Sequence, residues 1–191
     1  MPHTIYLCRH GDTEWSPVRR LAGRTDLDLT SIGEDTARQV GKRLEGIAFD
    51  RIWVSPLLRA RRTAELAGFT ATIDPRLIEM NFGRYEGLTV HDVRKDRPGW
   101  TYLGDGCPDG DTAADLAARC DLVIADLAQL AGTTLLIAHS VLLRVLTARY
   151  LGLPPERGRN FMMAPGALSI LDYDPVDDAP AIRGWNAVHR P

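Results

Sequence analysis

The stretch that most constrains this chain is Thr134-Leu135-Leu136-Ile137-Ala138, an uncharged run stopped by His139-Ser140 and followed at once by the largely apolar segment 141–151. So short an apolar run reads as a strand buried on both faces, and the segment behind it as a buried helix. Such a strand belongs to a sheet covered by helices, which confines the chain to an α/β architecture. The same alternation recurs along the sequence. Ile5-Tyr6-Leu7-Cys8 and Ile52-Trp53-Val54 read as strands, and 70–73 as a third, short one. A helix with Ala37, Val40, Gly41 and Leu44 on one face follows the first strand, with Ser31 and Glu34 fitting a capping box. Ser55-Pro56 opens a second helix with proline in its first turn. Segment 112–130 is amphipathic, its apolar face running through Ala113, Leu116, Ala117, Cys120, Val123, Ile124 and Leu127, with Asp109 or Asp111 as its cap. Segments 168–173 and 181–185 close the sheet. The expected fold is a three-layer α/β/α sandwich with a mostly parallel central sheet, and 191 residues fit a single domain, 1–191.

Open α/β sheets gather ligands at the carboxyl ends of their strands, and two strand ends here carry chemistry. Arg9-His10-Gly11 supplies a fixed cation with a planar fork of donors, an imidazole, and a residue that lets backbone bend sharply or approach a ligand. His139 stands between a strand and a helix amino terminus, where N–H groups and the helix dipole favour an anion. A solvated strand end and a simple helix cap are the ordinary alternatives. Arg59, Arg61 and Arg62 crowd the first turns of the second helix, against its dipole; Arg59, nearest the start, is the candidate to face an anion rather than water. Glu79 and Glu86 lie among apolar residues and glycines, surroundings that raise a carboxyl pKa and suit a proton donor; a salt bridge or exposure is the plainer reading of either. Segment 88–110, rich in glycine and proline, reads as a lid or specificity segment. Phe82, Tyr85, Trp100 and Tyr102 would wall it or simply pack, and Arg94, Lys95 and Arg97 would meet substrate or water.

Composition narrows the partners. The 23 basic and 25 acidic side chains leave a formal charge of −2, which argues against a general nucleic-acid surface. Cys8, Cys107 and Cys120 are odd in number and follow no disulfide or metal spacing, so a reducing, cytoplasmic location is expected. Met1 to Thr4 leave no room for a secretory signal, and no run is long enough for a membrane span. The five histidines have no metal-ligand spacing, so no metal is expected.

The sequence resembles the histidine phosphatase superfamily, the group that includes the cofactor-dependent phosphoglycerate mutases. The resemblance runs, in family order, through Arg9-His10-Gly11-Asp12-Thr13-Glu14-Trp15, Gly23-Arg24-Thr25-Asp26-Leu27-Asp28-Leu29-Thr30, Ser55-Pro56-Leu57-Leu58-Arg59-Ala60, Glu79 with Gly83 and Tyr85-Glu86-Gly87, and Ala138-His139. It implies a phosphoglycerate-mutase-like fold and His10 as the nucleophile that forms a phosphohistidine. It implies Arg9, Arg59 and His139 around the transferring phosphoryl group, and Glu79, rather than Glu86, as the proton donor. The implied phosphate-binding set is Arg9, Gly11, Ser16, Arg59, His139 and Ser140, with neither metal nor other cofactor. Three positions depart from the family: Ser16 stands where mutases have asparagine, Ser140 where many members have glycine, and Asp12 where glutamate or glutamine is commoner. The chain is shorter than mutases between Glu86 and the long helix, and Asp105-Gly106-Cys107 is similar to a segment of the phosphatase branch. The resemblance therefore implies metal-independent hydrolysis of a small phosphomonoester such as a sugar phosphate. A phosphoglycerate-type mutase and a catalytically silent module that binds phosphorylated ligands are the alternatives.

Overall fold

Strand β4 (Gly132–Ala138) is buried from Thr134 onward, and the molecule is layered around it. A computed structural model describes residues 3–188; residues 1, 2 and 189–191 of the expected domain, and with them part of the amino-terminal reading, lie outside the described residues. The other strands are β1 (His3–Arg9), β2 (Arg51–Val54), β3 (Thr72–Ile73), β5 (Leu168–Asp174) and β6 (Ala179–Ala187). They form one six-stranded sheet in the order β3-β2-β4-β1-β5-β6. The β3-β2, β2-β4 and β4-β1 pairs are parallel, whereas β5 runs antiparallel to β1, and β6 to β5. The mostly parallel sheet is thus observed, with its last two strands reversed.

Alternate residues of a strand face opposite sides, and β4 divides its side chains accordingly. Leu135 and Ile137 join Cys8, Val54, Val40 and Ala60 in a core beneath helices α1 (Ser31–Arg43) and α2 (Leu58–Leu66). Leu136 and Ala138 join Ile5 and Leu7 in a larger core on the other face. That core is covered by α3 (Val90–Asp96), α4 (Tyr102–Asp105), α5 (Ala113–Ala128) and α6 (Ser140–Tyr150). The sandwich has the expected three layers.

The helix ends differ from expectation in three places. Thr30, not Ser31, caps α1, its hydroxyl accepting from Gly33 N. Thr112, not Asp109 or Asp111, caps α5, in a capping box with Asp115. Both are threonines one residue before the first helical residue, where a hydroxyl meets the free N–H groups of the first turn. Helix α2 begins at Leu58, because the chain bends at Pro56 and Leu57, with Leu57 still in extended conformation, and Asp26 Oδ1 accepts from Leu58 N at 2.6 Å.

Segment 88–110 holds α3 and α4. Trp100 is buried, donates from Nε1 to Gly106 O at 2.8 Å, and meets Tyr85 and Tyr102 edge to face. Phe82 packs edge to face on Tyr102. These aromatics chiefly pack, and that anchors a segment poor in long helices.

Candidate active site

Parallel register sets the geometry. Arg9 on β1 pairs with Ala138 on β4, so His10 and His139 leave the sheet side by side. Their ring centroids lie 5.1 Å apart, and both residues are buried.

Hydrogen bonding fixes both tautomers. His10 Nδ1 lies 2.7 Å from Gly11 O; a carbonyl only accepts, so Nδ1 carries the proton. Burial, then the charges of Arg59 and Arg9, hold the His10 pKa well below its usual value. The ring is neutral and its Nε2 lone pair is unprotonated, the state a nucleophile needs. His139 Nδ1 faces Arg59 Nε at 3.2 Å; a guanidinium only donates, so this nitrogen accepts. Burial, then Arg59, His10 and Arg9, lower the His139 pKa in the same sense. Its remaining proton sits on Nε2, which donates to the buried Ser55 Oγ at 2.6 Å.

Cations surround this pair. Arg59 is fully buried at the start of α2. Besides His139 it donates to the carbonyls of Thr25, Ala22 and Gly23 at 2.8–3.1 Å. The Glu86 carboxylate takes the N–H groups of the same loop, from Gly23, Arg24 and Thr25. Loop 22–25 is therefore clamped from both sides, and Glu86 is a strut. Arg9 donates from Nη1 to Met163 O at 2.6 Å, while its buried Nε–H has no acceptor among the described residues. Burial lowers the Arg9 pKa, and the Glu79 and Asp12 carboxylates oppose that shift. Arginine starts high enough to remain a cation.

Glu79 is buried at the amino end of α6. Its Oε1 accepts from Met80 N and Leu142 N at 2.9 and 2.8 Å, and Oε2 from Val141 N at 3.0 Å. It caps α6 from another segment, since the cap residue His139 makes no side-chain bond to the helix. Oε2 holds one N–H and keeps a lone pair.

The structure thus brings together Arg9, His10, Arg59, Glu79 and His139. Of the other three implied phosphate ligands, Gly11 and Ser16 have protein partners and Ser140 has none among the described residues. Gly11 N donates to Thr63 Oγ1 at 3.1 Å, and a Cβ on Gly11 would strike the Gly33 backbone of α1, so this glycine permits close packing beside His10. Ser16 Oγ accepts from Thr13 N at 3.0 Å and closes a turn. Ser140 is the first residue of α6, half-buried, with no side-chain hydrogen bond among the described residues.

Sequence reasoning gave no role to Ser55 or Thr63, which hold His139 and Gly11. Ser55 ends β2 inside a motif already singled out, and that position was its only signal. Among the described residues, no three His, Cys, Asp or Glu side chains gather as a metal-binding group. None of the described helices is long and apolar enough to cross a membrane.

A family model for the histidine phosphatase superfamily, branch 1, matches residues 5–188. The chain belongs to that superfamily. An acid phosphatase of Mycobacterium tuberculosis is 32% identical over 177 residues, covering 90% of this chain and 87% of the relative. A protein of an Enterobacter species named "Probable phosphoglycerate mutase GpmB" is 34% identical over 181 residues, covering 88% and 84%. The solved structure of the product of open reading frame Rv3214 from Mycobacterium tuberculosis superposes with a TM-score of 0.93 at 30% identity, covering 98% of this chain and 99% of that one. This histidine phosphatase is therefore similar to proteins of both hydrolase and mutase name.

Proposed function

We propose that this histidine phosphatase hydrolyses a small phosphomonoester, such as a sugar phosphate, through a phosphohistidine at His10. The observation that carries the reading is the neutral His10 ring, with Nδ1–H held by Gly11 O, Nε2 unprotonated, and Arg9, Arg59 and His139 around it. His10 Nε2 attacks phosphorus and the ester P–O bond breaks. Arg9, whose buried Nε–H has no acceptor among the described residues, and Arg59 stabilise the charge on the phosphoryl oxygens. Glu79, in its acid form, protonates the leaving oxygen from Oε2; as carboxylate it then takes a proton from the water that attacks phosphohistidine. Inorganic phosphate leaves and His10 returns neutral. Segment 88–110 acts as the specificity segment. No step calls on a metal.

Phosphate release with sugar phosphates, nucleotides and p-nitrophenyl phosphate tests the reading. His10→Ala is expected to abolish both turnover and acid-labile phosphoprotein; full activity in that variant rejects the nucleophile. The mutase-named relative supports a second reading, in which phosphohistidine passes its phosphoryl group to another hydroxyl. Little free phosphate and dependence on a bisphosphate primer would favour it. Binding of phosphorylated ligands with no turnover in any assay would instead indicate a silent module.

A further inference from the structure

Glu79 sits in a stretch without regular structure. Residues 78–82 belong to neither helix nor strand and join two 3-10 turns, Pro75–Leu77 and Gly83–Tyr85. Buried Leu77, Met80 and Phe82 anchor the apolar side of this stretch in the larger core. Its backbone polar groups, which no ladder pairs, need other partners. For three carbonyls the partner is one guanidinium. Arg119 Nη1 donates to Arg76 O at 3.2 Å and to Ile78 O, and Nη2 donates to Glu79 O at 3.4 Å. The same Nη2 donates to Asp111 Oδ2 at 3.1 Å. That carboxylate also accepts from Asn81 N at 2.9 Å, and Asp111 N donates to Asn81 O at 2.8 Å. The main chain on both sides of Glu79 is therefore gripped by two side chains that are bonded to each other.

The grip has a firm base. Arg119 projects from α5, whose Leu116, Cys120 and Val123 are buried in the larger core. Asp111 is free for this task because Thr112 caps the helix. On its other side Asp111 Oδ2 lies 3.6 Å from Arg24 Nη2, in the loop whose carbonyls Arg59 holds. The Glu79 carboxyl group is aimed by N–H groups of a different element, α6. Its free lone pair on Oε2 thus depends on two anchorages: α6 holds the carboxyl, and α5, through Arg119, holds the main chain from which it extends. Displacing a catalytic group by about 1 Å can cost on the order of 100-fold in rate.

We infer that Arg119, paired with Asp111, is a positioning residue for proton transfer, acting through the main chain of Glu79. The inference rests on the proposed role of Glu79 as proton donor, and its test separates the two. Rapid-quench measurements of phosphoenzyme formation in the full-length protein compare phenyl phosphate with p-nitrophenyl phosphate, esters of similar shape whose leaving oxygens differ in their need for a proton. Both are read on one preparation, so any loss of folded protein cancels from their ratio. Glu79→Gln is expected to lower the phenyl-to-nitrophenyl ratio by at least about fivefold, within what general acid catalysis supplies. Arg119→Met, which keeps the apolar stem and removes the fork, is expected to lower it by at least about threefold. In the Glu79→Gln background the same substitution should change the ratio by less than about twofold, since a residue acting through Glu79 has nothing left to position. A ratio unmoved by Arg119→Met, whether both rates fall or neither does, overturns the inference and leaves Glu79 as donor. So does a further fall in the double variant. A ratio unmoved by Glu79→Gln defeats the donor reading itself, and the inference with it. Should Arg119→Met give no soluble protein, Arg119→Lys, which keeps the charge without a fork that spans three carbonyls, must lower the ratio as well.

Discussion

At the scale of single residues, the site works by placing neutral imidazoles next to cations in a dry environment. Each neutral ring has a proton position dictated by a partner that can play only one role, Gly11 O or the Arg59 guanidinium. This arrangement has a stability consequence. His10 and His139 stay neutral in the folded protein, whereas an unfolded histidine gains a proton near pH 6.5. Below that pH the unfolded chain binds more protons, so stability is fully present above about pH 6.5 and falls as the solution is acidified. Each ring can add up to about 1.4 kcal/mol per pH unit to the slope. Urea unfolding between pH 7.5 and 5.5 should show this loss, with a shallower slope in His10→Gln; an unchanged slope would mean that His10 is charged in the native state. Ser55 gives a second residue-scale test. Ser55→Ala leaves the buried His139 Nε2–H without an acceptor, which costs about 1–3 kcal/mol of stability. Phosphoenzyme formation should slow as well, because His139 loses its orientation; rapid-quench kinetics would detect it. The identities of these residues were largely legible in the sequence, because Arg9-His10 and His139 each follow an unmistakable strand. Their partners were not. Ser55 and Thr63 act through contacts 84 and 52 residues away along the chain, and no local pattern marks such pairs.

At the scale of elements, the amino end of α6 joins fold to chemistry. An α-helix leaves its first N–H groups unpaired, and here Glu79 supplies the acceptors from a segment 62 and 63 residues distant. The same carboxyl group is the proposed proton donor, so substitutions should separate its two tasks. Glu79→Gln keeps an oxygen acceptor but cannot deliver the acid proton. Turnover of alkyl phosphates should fall by about 100-fold or more, within the usual range for general acid catalysis. p-Nitrophenyl phosphate, whose leaving group needs no proton, should suffer far less in phosphoenzyme formation. Equal losses in pre-steady-state bursts would remove Glu79 from the donor role. Glu79→Ala should in addition lower stability by about 1–3 kcal/mol, since Val141 N and Leu142 N lose their partners inside the protein. Helix positions followed from apolar periodicity, but the caps of α1 and α5 fell one to three residues from the expected ones. Serine, threonine and aspartate all cap well, and which one does so depends on where the preceding chain arrives. The reversal of β5 and β6 was equally hidden, because a strand's apolar pattern carries no direction.

At the scale of the whole molecule, the sheet separates charge in a way that the near-neutral composition conceals. The formal charge is −2, yet Arg9 and Arg59 lie largely buried beside His10 and His139 at the carboxyl ends of β1 and β4, and of the carboxylates that face them, Glu79, Asp12, Asp26 and Glu86, both glutamates are engaged by backbone N–H groups. Parallel strands make this possible, since consecutive β-α units return their loops to one edge of the sheet, whereas the antiparallel β5 and β6 only complete the wall. A phosphate dianion thus meets two largely buried guanidinium groups on a protein of slightly negative total. Long-range attraction of that kind is screened over about 10 Å at 0.1 M salt and about 3 Å at 1 M. Contacts inside the buried site lie closer than that and are shielded from ions. Raising KCl from about 0.02 to 0.5 M should therefore lower kcat/KM by roughly three- to tenfold, through slower capture, at salt levels spanning these screening lengths. The chemical step after capture should hold steady, so kcat at saturation should change by less than about twofold. Viscosity-controlled initial-rate measurements across the salt series separate the two. A kcat that falls in parallel with kcat/KM would show that salt enters the site itself, and that the dry, pre-charged pocket around His10 does not exist in solution.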